Sequence, residues 1–167
     1  MPLLRTPTLA LVEEEALRPM LSIDANLLLY CYSEASPHHF AALGFIESCA
    51  LREDVALSEF VLTEFYLLLR NPAVLVEALS APDAVEVVQS YRQHPRWRTL
   101  GFPPTSRELH AELWRKSAKA GVARRRIYDT RTALALRAFG VTEFATANVK
   151  DFSGFEFERV WNPVEGD

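Results

Sequence analysis

Arg124-Arg-Arg-Ile-Tyr-Asp129-Thr-Arg-Thr-Ala-Leu-Ala-Leu-Arg-Ala-Phe-Gly140-Val-Thr-Glu-Phe-Ala-Thr146-Ala-Asn148-Val-Lys-Asp151-Phe152 is the stretch that decides the fold. A basic run leads into an Ala/Leu-rich helix expected over residues 127–139, with Asp129 near its start. Gly140 stands where a left-handed cap closes such a helix. A short strand follows over residues 143–146, then a polar turn over 148–151. This helix–strand unit therefore puts two carboxylates, Asp129 and Asp151, near element ends. Carboxylates so placed suit a metal ion, and the adjoining arginines suit a polyanion.

Working outward, the same alternation recurs. Leu21-Ser-Ile23 reads as a buried strand that ends at Asp24-Ala-Asn26. Ser36-Pro37 opens a helix running to about Cys49, since a cap followed by first-turn proline is a strong start signal. Val55-Ala-Leu57 is a second strand, and Ser58 caps a helix that Asn71-Pro72 stops. Ser80 to Asp83 opens another helix, which His94-Pro95 breaks. Arg98 to Phe102 is a third strand, and Thr105-Ser-Arg-Glu108 reads as a capping box for a helix ending near Gly121. Residues 157–161 form the last strand. Short strands alternating with helices give an α/β domain with a mainly parallel, about five-stranded sheet. Right-handed crossovers bring the carboxyl ends of its strands, and any site there, to one side.

The 167 residues suffice for one domain over residues 20–163. Residues 1–19, with three prolines and Glu13-Glu-Glu15, read as an N-terminal extension, and 164–167 as a tail. Hydrophobic content of 49% and charged content of 24% are ordinary for a globular protein. No apolar run reaches the roughly 18 residues of a membrane span, and no secretory signal pattern stands at the N-terminus. Cys31 and Cys49 have no metal-type spacing and are expected to pack as reduced thiols in a cytoplasmic protein. The net charge of −4 is unevenly spread: residues 90–131 carry +8 and the remainder −12. A basic surface on an acidic body follows, built from Arg115, Lys116, Lys119, Arg124, Arg125, Arg126 and Arg131. Solvated helix faces are the structural alternative for the first three.

Four acids are candidates for chemistry: Asp24, Glu64, Asp129 and Asp151. Asp24 has an alternative as a helix cap, Asp129 as a complement to a helix N-terminus, and Asp151 as a turn cap. Glu64 resists such a reading, because residues 59–70 are apolar on nearly every side and a buried carboxylate needs a partner. If the four meet, each pair repels by roughly 3–4 kcal/mol at 4–5 Å, so the cluster needs a cation. An all-oxygen donor set favours Mg²⁺, or Mn²⁺, over Zn²⁺. His38, His39, His94 and His110 have no zinc spacing. No P-loop, Ser-His-Asp set or glycine-rich dinucleotide loop is present. A divalent ion beside a basic surface suits phosphodiester hydrolysis.

The ordered set Ile-Asp24-Ala-Asn26, Leu-Thr-Glu64-Phe, Ile-Tyr-Asp129-Thr-Arg-Thr, and Phe-Ala-Thr146-Ala-Asn148-Val-Lys-Asp151-Phe resembles PIN-domain ribonucleases. Its length and motif order are most similar to VapC, the toxin of VapBC toxin–antitoxin modules. The resemblance covers about residues 20–163 and ends on Val-Trp-Asn162-Pro163. It implies a three-layer α/β/α fold and a Mg²⁺- or Mn²⁺-dependent endoribonuclease that leaves a 5′-phosphate and a 3′-hydroxyl. It implies Asp24 and Asp129 as metal ligands, Glu64 completing the acidic pocket, and Asp151 as a further ligand. Asn26, Thr146 and Asn148 take supporting roles, the last two orienting water or the scissile phosphate. It further implies a homodimer and a VapB-like antitoxin partner. Many relatives carry Asp where this chain has Asn148. That departure supports the alternative, a PIN-fold RNA-binding or scaffold module without turnover.

Overall fold

The computed structural model describes residues 19–165. The expected N-terminal extension, apart from Pro19, lies outside the described residues, as do the last two residues of the tail.

Twelve elements follow one another among the described residues: β1 (Leu21–Ile23), α1 (Ala25–Tyr32), α2 (His39–Cys49), β2 (Ala56–Ser58), α3 (Glu59–Leu69), α4 (Ala81–Arg92), β3 (Arg98–Leu100), α5 (Ser106–Ser117), α6 (Arg126–Ala138), β4 (Glu143–Ala145), α7 (Val149–Phe152) and β5 (Arg159–Trp161). β1, β4 and β5 form one parallel sheet in that order, and β2 and β3 a second. A parallel bridge between Leu21 and Val55 joins them, supported by the Leu21 amide donating to the Asp54 carbonyl at 2.8 Å. The composite order is therefore β3-β2-β1-β4-β5, and every pairing is parallel.

Side chains alternate across the sheet as strand geometry requires. Ile23, Leu57 and Ala145 face a core built with α1, α3 and Trp97. Ala56 and Phe144 face the other way, onto Ala133 and Leu136 of α6 and Phe152 of α7. The result is an α/β/α sandwich.

Local signals account for most of the boundaries. The Ser58 hydroxyl accepts from the Val61 amide at 3.1 Å and starts α3. Ser80 caps α4 through the Asp83 amide. Gly140 has φ +83° and ends α6. Three expectations fail. Thr105 has φ −89° and ψ 32°, outside the extended region a cap needs, so its hydroxyl makes no cap and the capping box does not form. α5 then stops at Ser117, four residues short of Gly121. The expected turn over 148–151 closes instead as the single helical turn α7.

Candidate active site

Asp24 sits one residue beyond β1, at the carboxyl edge of the sheet. The β1–β4 register continues through it, because its amide donates to the Ala145 carbonyl at 2.9 Å. Thr146, one residue beyond β4, thereby comes beside it. The Thr146 hydroxyl donates to Asp24 Oδ2 at 2.5 Å, and the Asn26 side-chain amide donates to the same oxygen at 3.0 Å. Asp24 Oδ1 accepts from the Ala25 amide at 2.8 Å, so Asp24 also caps α1. The capping role and the site role are one geometry. Asn26 Oδ1 takes the Ala147 amide at 3.3 Å, and Thr146 Oγ1 takes the Asn148 amide at 3.0 Å. Asp24, Asn26, Thr146 and the Asn148 backbone thus lock two adjacent strand ends together.

Asp24 is only 6% exposed. Burial pushes its carboxyl up to about 7, against the Thr146 hydrogen bond; Glu64 raises it further, the Ala25 amide lowers it, and Asp129 raises it again. Glu64 is held above the usual carboxylate range by desolvation first and then by Asp129. Asp129 is raised by desolvation and by Asp151, with Arg126 and Arg125 pulling the other way. Asp24 therefore lies in the field of Glu64 and Asp129, Glu64 in that of Asp129, and Asp129 in that of Asp151. Among the described residues none of Asp24, Glu64 or Asp129 has a lysine or arginine within ion-pair distance.

The four acids are not equivalent. Asp151 is ion-paired with Arg126, which ties the start of α6 to α7. Glu64 is exposed rather than buried. The reason is Leu67, which is 62% exposed: the apolar count over α3 includes a solvent-facing leucine, and the buried face is Val61, Leu62, Phe65 and Leu69. Among the described residues no three His, Cys, Asp or Glu side chains stand together closely enough to hold a metal ion as they are placed. The chemistry of the donors nevertheless fits a hard divalent cation: three carboxylates, partly desolvated and, among the described residues, in no ion pair with a lysine or arginine.

The basic run divides. Arg115 and Lys116 pair with Glu112, and Lys116 lies 5.4 Å over the Phe155 ring. Arg126 is taken by Asp151. Lys119, Arg124 and Arg125 are exposed. Arg131 stacks 4.2 Å over the Phe60 ring. A cavity of about 450 Å³ lies between α3 and α6, lined by Glu64, Asp129, Arg125, Arg131, Phe60 and Tyr128 among others. The sequence reading did not single out its aromatic members. Their signal is spacing: Phe60 stands four residues before Glu64, and Tyr128 three before Arg131, so each pair shares a helix face.

A parallel α/β/α sandwich with a buried acid, Asp24, at the carboxyl edge of its central strand and Glu64 and Asp129 on flanking helices is a PIN-type domain. Over 148 residues the chain is 47% identical to Ribonuclease VapC24 of Mycobacterium tuberculosis, in both the CDC 1551 / Oshkosh and the H37Rv strains, covering 89% of this chain and 99% of the relative. The chain belongs to the VapC family of ribonucleases. No family model matches it. Solved structures share the fold at lower identity. M. tuberculosis VapC20, described as a sarcin-ricin loop cleaving toxin, superposes with a TM-score of 0.61 at 17% identity over 82% of this chain and 95% of that one. FitAB bound to a DNA fragment gives 0.60 at 18% identity over 89% and 98%. DNA-bound VapBC from Salmonella typhimurium gives 0.56 at 18% over 87% and 99%.

Proposed function

We propose that this protein is a VapC-type endoribonuclease that hydrolyses RNA phosphodiester bonds with Asp24, Glu64 and Asp129 as its acidic residues. The observation that carries the reading is Asp24: a carboxylate at a strand end, raised first by its burial and further by Glu64 and Asp129, with no ion pair to a basic side chain among the described residues. Asp24, Glu64 and Asp129 would hold a Mg²⁺ or Mn²⁺ ion, with Asp151 joining once it leaves Arg126. A bound ion of this kind lowers the pKa of water and offsets charge on the attacking and leaving oxygens.

The chain's own residues have separate tasks. Thr146 and Asn26 hold the Asp24 carboxylate by hydrogen bonds that favour its ionised form. Thr146 and the Asn148 side chain orient water and the scissile phosphate. Arg125 draws the backbone towards the acids. Water attacks phosphorus in line, the bond to the 3′ oxygen breaks, and that oxygen leaves as a hydroxyl, giving a 5′-phosphate. Lys119, Arg124 and Arg131 supply further backbone contacts. A VapB-like antitoxin, a homodimeric assembly and a cytoplasmic location belong to the same reading. Among the described residues no helix is long and apolar enough to cross a membrane, and both cysteines are free.

A second reading is RNA binding without turnover. The Arg126–Asp151 pair and the spacing of the acids favour it. Incubating total cellular RNA with the protein in Mg²⁺, Mn²⁺ or EDTA separates the two. Discrete fragments that need metal and vanish in Asp24→Asn and Asp129→Asn are the expected result. RNA bound but intact under every metal would leave the binding module.

A further inference from the structure

The cavity between α3 and α6 has a composition that the acidic site does not use. Phe60, Leu67 and Tyr128 stand on its wall, the last two 62% and 57% exposed. Phe102, 73% exposed, meets Phe60 edge to face at 5.4 Å and 81°. Arg131 lies 4.2 Å over Phe60 and 5.7 Å from the Tyr128 ring. Among the described residues Arg131 forms no ion pair, and its Nε is buried without a hydrogen-bond partner. Stacking on Phe60 is what holds this guanidinium in place, as a flat cationic plate on the cavity wall. The volume of about 450 Å³ falls in the range of small-ligand sites, roughly 300–1,000 Å³.

Singly exposed apolar side chains are ordinary, but exposed Leu67 and Tyr128 beside half-buried Phe60 around one cavity, with exposed Phe102 packed against Phe60, mark a binding surface. The guanidinium planes and the two arginines select among occupants. An apolar protein helix has no use for them, whereas a nucleobase stacks on aromatic and guanidinium faces alike and brings a phosphate with it. Glu64 and Asp129 line the same cavity, so a base seated here lies within a nucleotide or so of the acids. The geometry points to a nucleobase-stacking subsite formed by Phe60, Tyr128 and Arg131, which holds an unpaired base beside the scissile phosphate. This subsite rests on the ribonuclease reading and deepens it. It makes an unpaired nucleotide, rather than continuous duplex, the substrate at this position, because a base can reach these faces only when it is out of the helical stack.

Binding of an oligoadenylate and of an abasic ribose-phosphate oligomer of equal length, measured in EDTA, tests the proposal. Base stacking predicts roughly 5- to 150-fold tighter binding of the oligoadenylate. Tyr128→Leu, at an exposed ring, and Phe60→Leu each remove most of that preference and leave abasic binding unchanged, while Tyr128→Phe keeps it. Equal affinity for the two oligomers, no binding of either, or an equal loss on both in Tyr128→Leu overturns the subsite. The first of these, with Leu67 and Phe102 still exposed, would assign the surface to an apolar protein segment. The outcome is separable from catalysis. A protein that cleaves RNA but ignores bases keeps the ribonuclease reading and loses the subsite. One that prefers the oligoadenylate through Tyr128 yet cleaves nothing keeps the subsite and loses the catalytic reading.

Discussion

Asp24 carries opposite demands. Its carboxylate is buried, and it is stabilised by Thr146, Asn26 and the Ala25 amide, yet burial outweighs them and leaves it near 7. An unfolded aspartate titrates near 3.8. Between these values the folded chain holds a proton that the unfolded chain has lost, so stability falls as pH rises through this window. The full difference is about 4 kcal/mol above pH 7. Asp24→Asn relieves it but leaves the Thr146 hydroxyl without its anionic acceptor, a loss of about 1–3 kcal/mol. The expected net effect in EDTA is a melting temperature above the parent's at pH 8 and equal to or below it at pH 4.5. A variant less stable at both would make Asp24 chiefly a structural cap. Thr146→Val removes the hydrogen bond that lowers the Asp24 carboxyl. The acid limb of its pH–rate profile should therefore move to higher pH, with activity recovering as pH is raised. Unchanged pH dependence with uniformly lower activity would limit Thr146 to packing.

At the scale of elements, legibility in the sequence follows the range of the interaction. Ser58, Ser80 and Gly140 act within four residues, and the ends they set were readable. Gly140 also gives a clean test. A methyl group there meets nothing within 4 Å, so Gly140→Ala should lower stability only through its positive φ, by about 1–2 kcal/mol in a thermal melt. A larger loss would mean that the α6–β4 connection packs more tightly than its open surroundings indicate. Glu64 and Thr105 were misread for two reasons. Apolar count does not say which leucine of α3 faces water, and a capping motif does not fix the ψ of its first residue. Asp24, Thr146 and Asn26 were legible as a set only through the resemblance, since 122 residues separate the first two and the strand register alone brings them together. The Arg126–Asp151 pair was not legible at all: Asp151 was read as a metal ligand and Arg126 as an RNA contact, and only the approach of α7 to α6 joins them. Arg126→Gln would free Asp151 and remove a charge that lowers Asp129. It should strengthen Mn²⁺ binding by calorimetry, and by more than Arg126→Gln combined with Asp151→Asn if Asp151 is a ligand held in reserve; equal binding by the two variants would leave Asp151 serving only the ion pair.

For the whole molecule, the charge asymmetry of the sequence becomes a statement about how many cations can meet an RNA. Seven basic residues between 115 and 131 were candidates. Arg115 and Lys116 share Glu112, and Arg126 is neutralised by Asp151. Among the described residues Lys119, Arg124, Arg125 and Arg131 remain without an ion pair, three of them exposed and the last fixed on an aromatic ring. Surface pairs such as Arg115–Glu112 are weak and can be exchanged for a phosphate, but each exchange leaves a carboxylate beside the RNA and gains little. Counter-ion release from single-stranded nucleic acid gives a slope of log K against log salt of roughly −0.7 per phosphate neutralised. Four free cations therefore predict a slope of roughly −3, and all seven roughly −5. Titrating Asp129→Asn with a short single-stranded RNA across a salt series measures it. A slope near −3 that becomes shallower in Arg124→Ala and Arg125→Ala, but not in Arg115→Ala, would make the α5–α6 connection the backbone contact. A slope near zero would remove the basic stretch from RNA recognition and leave binding to the aromatic cavity alone.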